Sequence, residues 1–175
     1  MTDTHISQEM RSAIGTVTAQ RVSYPVSESD IRKWAIAVYY PGPPPARFID
    51  PAAAEKSRYG GIVAPEEFNA FAWAAAAETT YGVADAELDG NNPGRTELAL
   101  GLTPPDVHYM LNGGMSVEYG VPVRPGDVLT STTRLAEYTE RPGRLGLMLF
   151  TTSEDTVTNQ NDEVVRRTRM TLIRY

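Results

Sequence analysis

Residues able to move a proton or hold an anion are sparse in this chain and unevenly placed. There are two histidines, His5 and His108, and no cysteine, which excludes disulfides, thiol catalysis and cysteine-ligated metals. His108 follows a long polar stretch from which it could reach a pocket mouth, but a lone histidine near a strand start more often serves structure. Gly126-Asp127 follows Pro125, where a turn is expected, and no histidine comes after it to complete an acid–base pair. Glu66 and Glu67 follow Pro65 directly. As carboxylates in the first turn of a helix they would be favoured by its dipole; a general base is the other reading. Tyr39, Tyr40, Phe48 and Tyr59 could line a cavity or pack a loop onto a helix, and the sequence leaves both open. Arg141 and Arg144 border a hairpin tip, either as solvated turn residues or as contacts for phosphates. No phosphate-cradling glycine loop, metal-spaced cluster or Ser/His/Asp pattern stands out.

The elements that must position these residues read as follows. Alternation over about Thr16 to Val26 gives a first strand, and Ser29 caps a helix over Asp30–Val38. Ile31, Trp34, Ala35 and Val38 form its buried stripe. Pro41-Gly42-Pro43-Pro44-Pro45 ends that helix in a rigid loop, a reading preferred to a proline-rich ligand for another protein because structured patterns flank it. Pro51–Lys56 is a short helix. The segment Arg58-Tyr59-Gly60-Gly61-Ile62-Val63-Ala64-Pro65 then opens a long helix from Pro65 to about Tyr81. That helix is apolar almost all round and so must be buried on most of its circumference. A polar connection spans 82–106. Strands follow near 107–119, 126–140, 144–158 and 162–174, with hairpin turns at Arg141-Pro142-Gly143-Arg144 and Asn159-Gln160-Asn161-Asp162. The continuously apolar run Leu145–Phe150 suits a central strand. In the last strand Val164, Thr168, Met170 and Leu172 share a core face opposite Arg167, Arg169 and Thr171. Strand, helices, a long buried helix and an antiparallel meander together predict an α+β domain with one curved sheet around one helix, spanning 1–175.

Composition bounds the function. Apolar residues at 41% and charged residues at 22% are ordinary for a soluble globular protein. A net charge of −6 argues against nucleic acid as the main partner. The basic residues are only two lysines, Lys33 and Lys56, against fourteen arginines, eight of them from Arg124 onward, so a local rim for an anionic ligand stays open. Met1-Thr2-Asp3-Thr4-His5-Ile6 lacks the basic-then-apolar order of a signal peptide. The apolar run around Phe71–Ala77 is too short for a bilayer. A cytoplasmic protein without a membrane span is expected.

The entry Gly60-Gly61-Ile62-Val63-Ala64-Pro65 into an apolar helix resembles the hotdog fold of MaoC-like dehydratases and hydratases. Leu111-Asn112-Gly113-Gly114-Met115-Ser116-Val117-Glu118-Tyr119, Pro122-Val123-Arg124-Pro125-Gly126-Asp127-Val128-Leu129 and Thr168-Arg169-Met170-Thr171-Leu172-Ile173 match in the same order. The resemblance is strongest to the N-terminal, FAS1-like dehydratase half. It implies a hotdog fold and a CoA or carrier-protein thioester as ligand, with water added to or removed from a 2-enoyl/3-hydroxyacyl pair and no cofactor. Active members resembling it carry Gly-Asp-x-Asn-Pro-x-His in the loop after the first helix. Here that loop has Tyr39 and Tyr40 at the Gly-Asp positions, prolines in the middle, and Phe48 near where the His would fall. The resemblance therefore implies no catalytic residue in this chain.

What it does imply is half of a two-part (R)-specific enoyl thioester hydratase. A small hotdog subunit bearing the Asp/His pair would be the partner, in a heterodimer or heterotetramer whose sheets join edge to edge. The chain is most similar to the larger-subunit hydratase domain of bacterial steroid side-chain degradation, which implies a steroid acyl-CoA. Tyr39, Tyr40, Phe48, Tyr59, Gly60 and Phe68 are the candidate substrate-contact residues. The alternatives are a hotdog thioesterase with Glu67 as base, and a non-enzymatic thioester-binding subunit.

Overall fold

The computed structural model describes residues 4–72 and 91–175. The N-terminal segment turns through α1 (Gln8–Ser12), whose Met10 is buried, and enters β1 (Val17–Val22). Helix α2 spans Glu28–Tyr39. Its cap is Ser27, two residues ahead of the expected Ser29: Ser27 Oγ accepts from the Asp30 N–H at 3.1 Å while the Asp30 carboxylate reaches back to the Ser27 N–H at 3.4 Å. This reciprocal pair satisfies two donors that a helix start otherwise leaves open. Ile31 and Ala35 are fully buried, as their spacing predicts, and Trp34 packs against the cluster that contains Ile31. Val38 is 47% exposed, so the buried stripe stops one turn short of the expected four residues.

A single 3-10 turn over Ala46–Phe48 leads into α3 (Pro51–Glu55), capped by Asp50 Oδ1 accepting from the Ala52 N–H at 2.9 Å. The expected helix from Pro65 is absent over Pro65–Ala72, which form turns instead. The Phe68 N–H bonds the Pro65 carbonyl at 2.9 Å, and Asn69 Oδ1 accepts from the Phe71 N–H at 3.0 Å, a side-chain bond that competes with helical pairing. The remainder of that expected helix, and the expected connection up to residue 90, lie outside the described residues. The described part of the connection carries α4 (Arg95–Ala99), which sequence periodicity did not reveal.

Four further strands, β2 (Met110–Tyr119), β3 (Thr130–Gly143), β4 (Gly146–Thr158) and β5 (Val164–Arg174), join β1 in one antiparallel sheet of order β1-β3-β4-β5-β2. From Gly146 to Phe150 the expected apolar run thus belongs to the central strand, while Leu145 falls outside it. The β3–β4 turn is displaced from its expected place. Pairing continues to Gly143 and Gly146, leaving Arg144-Leu145 as the two-residue tip, and Gly146 adopts a left-handed φ of +106°. A bulge between Leu135 and Glu137 resets the alternation, so that Leu135 and Tyr138 both face inward with Leu149. A second register shift, between Val157 and Thr158, reverses the expectation at the start of β5. Val164 is exposed there, and Val165 turns into the core instead.

The inner face of the sheet carries Leu135, Leu149 and Val157, all buried. The outer face carries a ladder of charge across three strands, in which Arg167 lies 3.6 Å from Glu118 and Arg169 lies 3.4 Å from Glu154. Among the described residues no helix is long and apolar enough to cross a membrane.

Helix α4 is pinned to the inner face by charge. Glu97, with no exposed surface, accepts from both guanidinium nitrogens of Arg174 at 2.6 and 2.8 Å and from the Tyr138 hydroxyl at 2.6 Å. Arg174 also donates to the Pro93 carbonyl at 2.5 Å and to Thr151 Oγ1 at 2.5 Å. Burial, reinforced by the bond to Glu97, pushes the Tyr138 phenol well above its ordinary value of 10.0.

Candidate functional site

The C-terminal end of α2, the 3-10 turn, the loop 58–67 and the exit of β2 converge on a cavity of about 360 Å³. The loop is fastened by the Ala64 N–H, which donates to the Val123 carbonyl at 2.9 Å. Tyr39 lies on the last turn of α2, with its ring centroid 5.9 Å from that of Phe48. Phe48 is buried against Ala35 and Val63, and Tyr59 packs onto the same group. Tyr119 closes the wall from β2.

Of the six candidate contact residues, the structure brings Tyr39, Phe48 and Tyr59 to this cavity. Gly60 is next to it without lining it, and its φ of +63° is the left-handed turn that a glycine accommodates. Tyr40 is 81% exposed and stands outside. Phe68 is buried in the main core, edge-on to Trp34 at 5.8 Å, and does not line the cavity.

Glu66 and Glu67 both line the cavity. Over Pro65–Ala72 there is no helix, so a helix dipole does not account for them. His108 is exposed, 3.6 Å from Asp106, away from the cavity wall. Asp127 performs turn work: its carboxylate accepts from the Arg124 N–H at 2.7 Å and from Gln160 Nε2 at 3.1 Å. Arg141 stacks on Phe150 at 5.3 Å, and Arg144 sits at the hairpin tip, so neither reaches the cavity. Among the described residues no group of three or more carboxylates or imidazoles is placed to hold a metal.

Sequence reasoning missed the cations of this site. Arg47 stacks on the ring of its neighbour Phe48 with Cζ 4.3 Å from the centroid, and Arg58 on Tyr59 at 4.7 Å. Arg58 also donates to the Tyr59 hydroxyl, a bond that raises its already high pKa further. Arg124 Nη2 donates to the Tyr59 carbonyl at 2.8 Å. The signal was present as two Arg–aromatic pairs, Arg47-Phe48 and Arg58-Tyr59, on either side of α3. A cavity whose lining mixes aromatic rings, carboxylates and arginines can hold a ligand with both apolar and charged parts. The residues here contain no imidazole to pair with a carboxylate for proton shuttling.

A second cavity of about 290 Å³ lies between α4 and the inner face of the sheet, where Thr133, Thr151, Ser153, Met170 and Leu172 contribute to its wall.

A curved antiparallel sheet of this order, with the helices and turns on its inner side, is the hotdog fold. Solved structures share it. A MaoC-like dehydratase from Rhodospirillum rubrum is 22% identical, with 93% of this chain and 92% of that one covered and a TM-score of 0.53. The ChsH1–ChsH2 complex from Mycobacterium tuberculosis is 17% identical over 91% of this chain and 84% of that one, with a TM-score of 0.61. A C-terminally truncated HadBC 3R-hydroxyacyl-ACP dehydratase complex from the same organism is 18% identical over 91% and 96%, with a TM-score of 0.53. No curated protein matches the chain. The FAS1-like, dehydratase domain region matches residues 12–168, and the chain belongs to that family.

Proposed function

We propose that this chain is the non-catalytic half of a heteromeric (R)-specific 2-enoyl-CoA hydratase, or 3-hydroxyacyl thioester dehydratase. It supplies part of the acyl-CoA tunnel, and a small hotdog partner supplies the Asp/His pair. The observation that carries this is the composition of the 360 Å³ cavity. The loop where the family resemblance expects the acid and base ends here in Tyr39 and Phe48, and both rings face that cavity. Hydration of a 2-enoyl thioester needs one group to activate water and one to return its proton, in fixed mutual geometry. Phe48 has no proton to exchange and the Tyr39 phenol has no imidazole in the lining to work with; both rings offer aromatic wall, which suits a bulky acyl group such as a steroid side chain.

The unpaired edge of the sheet supports a partner. Among the described residues β2 pairs only with β5, leaving a ten-residue edge whose Leu111 and Met115 are exposed. Edges of that length are usually covered or charged. The ChsH1–ChsH2 and HadBC structures are both complexes.

The test is a hydration assay on a 2-enoyl steroid side-chain CoA, with this chain alone and with its hotdog partner. Activity confined to the mixture is expected; full hydratase activity from the chain alone would overturn the proposal. One observation favours a second reading, a thioesterase with Glu67 as base: that carboxylate lines the same cavity. Release of free CoA by the chain alone, lost in Glu67→Gln, would establish it. Binding without turnover in either arrangement would leave a thioester-binding subunit.

A further inference from the structure

The outer face of the sheet carries an apolar ridge and a hollow side by side. The register places Leu111, Ile173 and Phe150 in one row across β2, β5 and β4. Tyr109 extends that ridge, its ring stacked on Tyr175 with centroids 5.5 Å apart. The ridge is open to solvent, with Tyr109 63% and Leu111 52% exposed. A solvated sheet face puts polar side chains at such positions, and apolar ones grouped there mark a contact surface. In the next row Gly114, Thr171 and Thr152 stand opposite one another. Gly113 beside them is bare for steric reasons, since a Cβ there would stand 2.9 Å from Ile173 Cγ1. These short residues leave an open hollow of about 350 Å³, which Ser116, Glu137 and Arg169 also line.

Ridge and hollow are one same-face step apart, about 7 Å along the strands. A two-fold axis between them sets the ridge of each copy into the hollow of the other, which is the self-complementarity an isologous interface requires. Charge permits the same meeting. The chain carries −6, so its surface as a whole repels a second copy. The ladder beside the hollow does not. Arg134, Arg167 and Arg169 there stand against Glu118, Glu137 and Glu154, neighbours of opposite sign with no net charge. Five strands about 4.8 Å apart and about ten residues long present an area on the order of 800 Å², what one partner gives to a standard interface.

We infer that two copies of this chain pack outer face to outer face, about a two-fold axis at the step between ridge and hollow. The two sheets lie about 10 Å apart, with the ridge side chains interdigitating and the ladders meeting beside them. The seam uses side chains on the face, so the backbone edge of β2 stays open for strand addition in both copies. It is independent of the thioester reading, and it would join two sites into one assembly.

Sedimentation equilibrium of the full chain over a concentration series tests the seam without any assay of activity. The wild type should dimerise reversibly. Tyr109→Lys sets a charge on the ridge, and Ser116→Arg fills the hollow from an exposed position. Each should weaken the dimer at least about tenfold. Both side chains are exposed, so the circular dichroism of each variant should match the wild type. Lys56→Gln, which lies off the sheet at the end of α3, should leave the dimer unchanged. A wild-type chain that stays monomeric throughout the series, or wild-type dimerisation in either face variant, would overturn the seam. A monomeric chain whose co-purification with the proposed hotdog partner is lost in Tyr109→Lys would also overturn it, and would give the face to that partner. Each of these outcomes leaves the hydratase reading to its own test.

Discussion

Arg174 ends β5 with 1% of its surface exposed, so Glu97 rather than water balances its charge. Removing one member of such a pair strands the other in a medium that cannot solvate it. Glu97→Gln or Arg174→Met should therefore cost about 3–5 kcal/mol by denaturant unfolding. The double variant Glu97→Leu/Arg174→Met should recover most of that loss, since a well-packed apolar pair needs no desolvation. Recovery of less than half would mean the charges do more than compensate each other. Tyr138, bonded to the same carboxylate, gives the quartet a pH signature. Its phenol is raised in the fold above the unfolded value of 10.0. The contribution is complete below that value and declines as pH rises through it, because the unfolded chain then loses the proton first. Unfolding free energy measured from pH 8 to 11 should fall at the alkaline end, and fall less in Tyr138→Phe. None of this was legible beforehand. Arg174 reads as one more arginine among the eight late ones, and Glu97 lies in a stretch whose composition resembles a polar loop. Only the packing of α4 onto the strands that carry Arg174 and Tyr138 identifies the buried pair.

Most elements were legible because their signals are local. The Ser27–Asp30 box is a sequence signature, and Ser27→Ala should destabilise the protein by about 1 kcal/mol. Ser29, the expected cap, already lies inside α2. The last strands were placed within a few residues by their turn signals and apolar patterning. The errors fell where a bulge resets the alternation, at Val165, and where a two-residue turn moves a hairpin tip, at Arg144-Leu145. Glycine substitutions separate the two kinds of element boundary. A Cβ on Gly120 would stand 1.9 Å from the Val164 carbonyl oxygen, a clash with backbone that no rotamer relieves. Gly120→Ala should cost more than about 2 kcal/mol and loosen the β2–β5 junction. At Gly42 the same atom meets only the Tyr39 carbonyl, at 3.5 Å, so Gly42→Ala should stay within about 0.5 kcal/mol of wild type. Similar costs at the two positions, measured by thermal melts, would contradict this account. Over Pro65–Ala72 the apolar pattern misled for a different reason. Its composition suits a buried helix, but Asn69 captures the Phe71 N–H and the first turns close on themselves.

At the scale of the molecule, the sheet has two ends of different character. One edge, β1, is six residues long; the other, β2, is ten and presents Leu111 and Met115 to solvent. The cavity wall includes Tyr119 at the end of that same β2. A partner strand laid along β2 would therefore reach the cavity, whose own lining holds carboxylates but no imidazole, and binding and chemistry would depend on one contact. Lysine on an exposed edge opposes strand addition without disturbing the fold beneath. Leu111→Lys/Met115→Lys should thus leave the melting curve of this chain within about 1 kcal/mol of wild type, since neither side chain is in the core. The same variant should weaken co-purification with the proposed hotdog partner and lower the proposed hydration activity of the mixture by a matching factor. Titrating excess partner back in should restore activity, because association alone is impaired. If co-purification survives the lysines intact, the partner sits elsewhere and the β2 edge is not the seam. If activity falls while association is unchanged, β2 acts on the site itself, through Tyr119 and the cavity wall it completes.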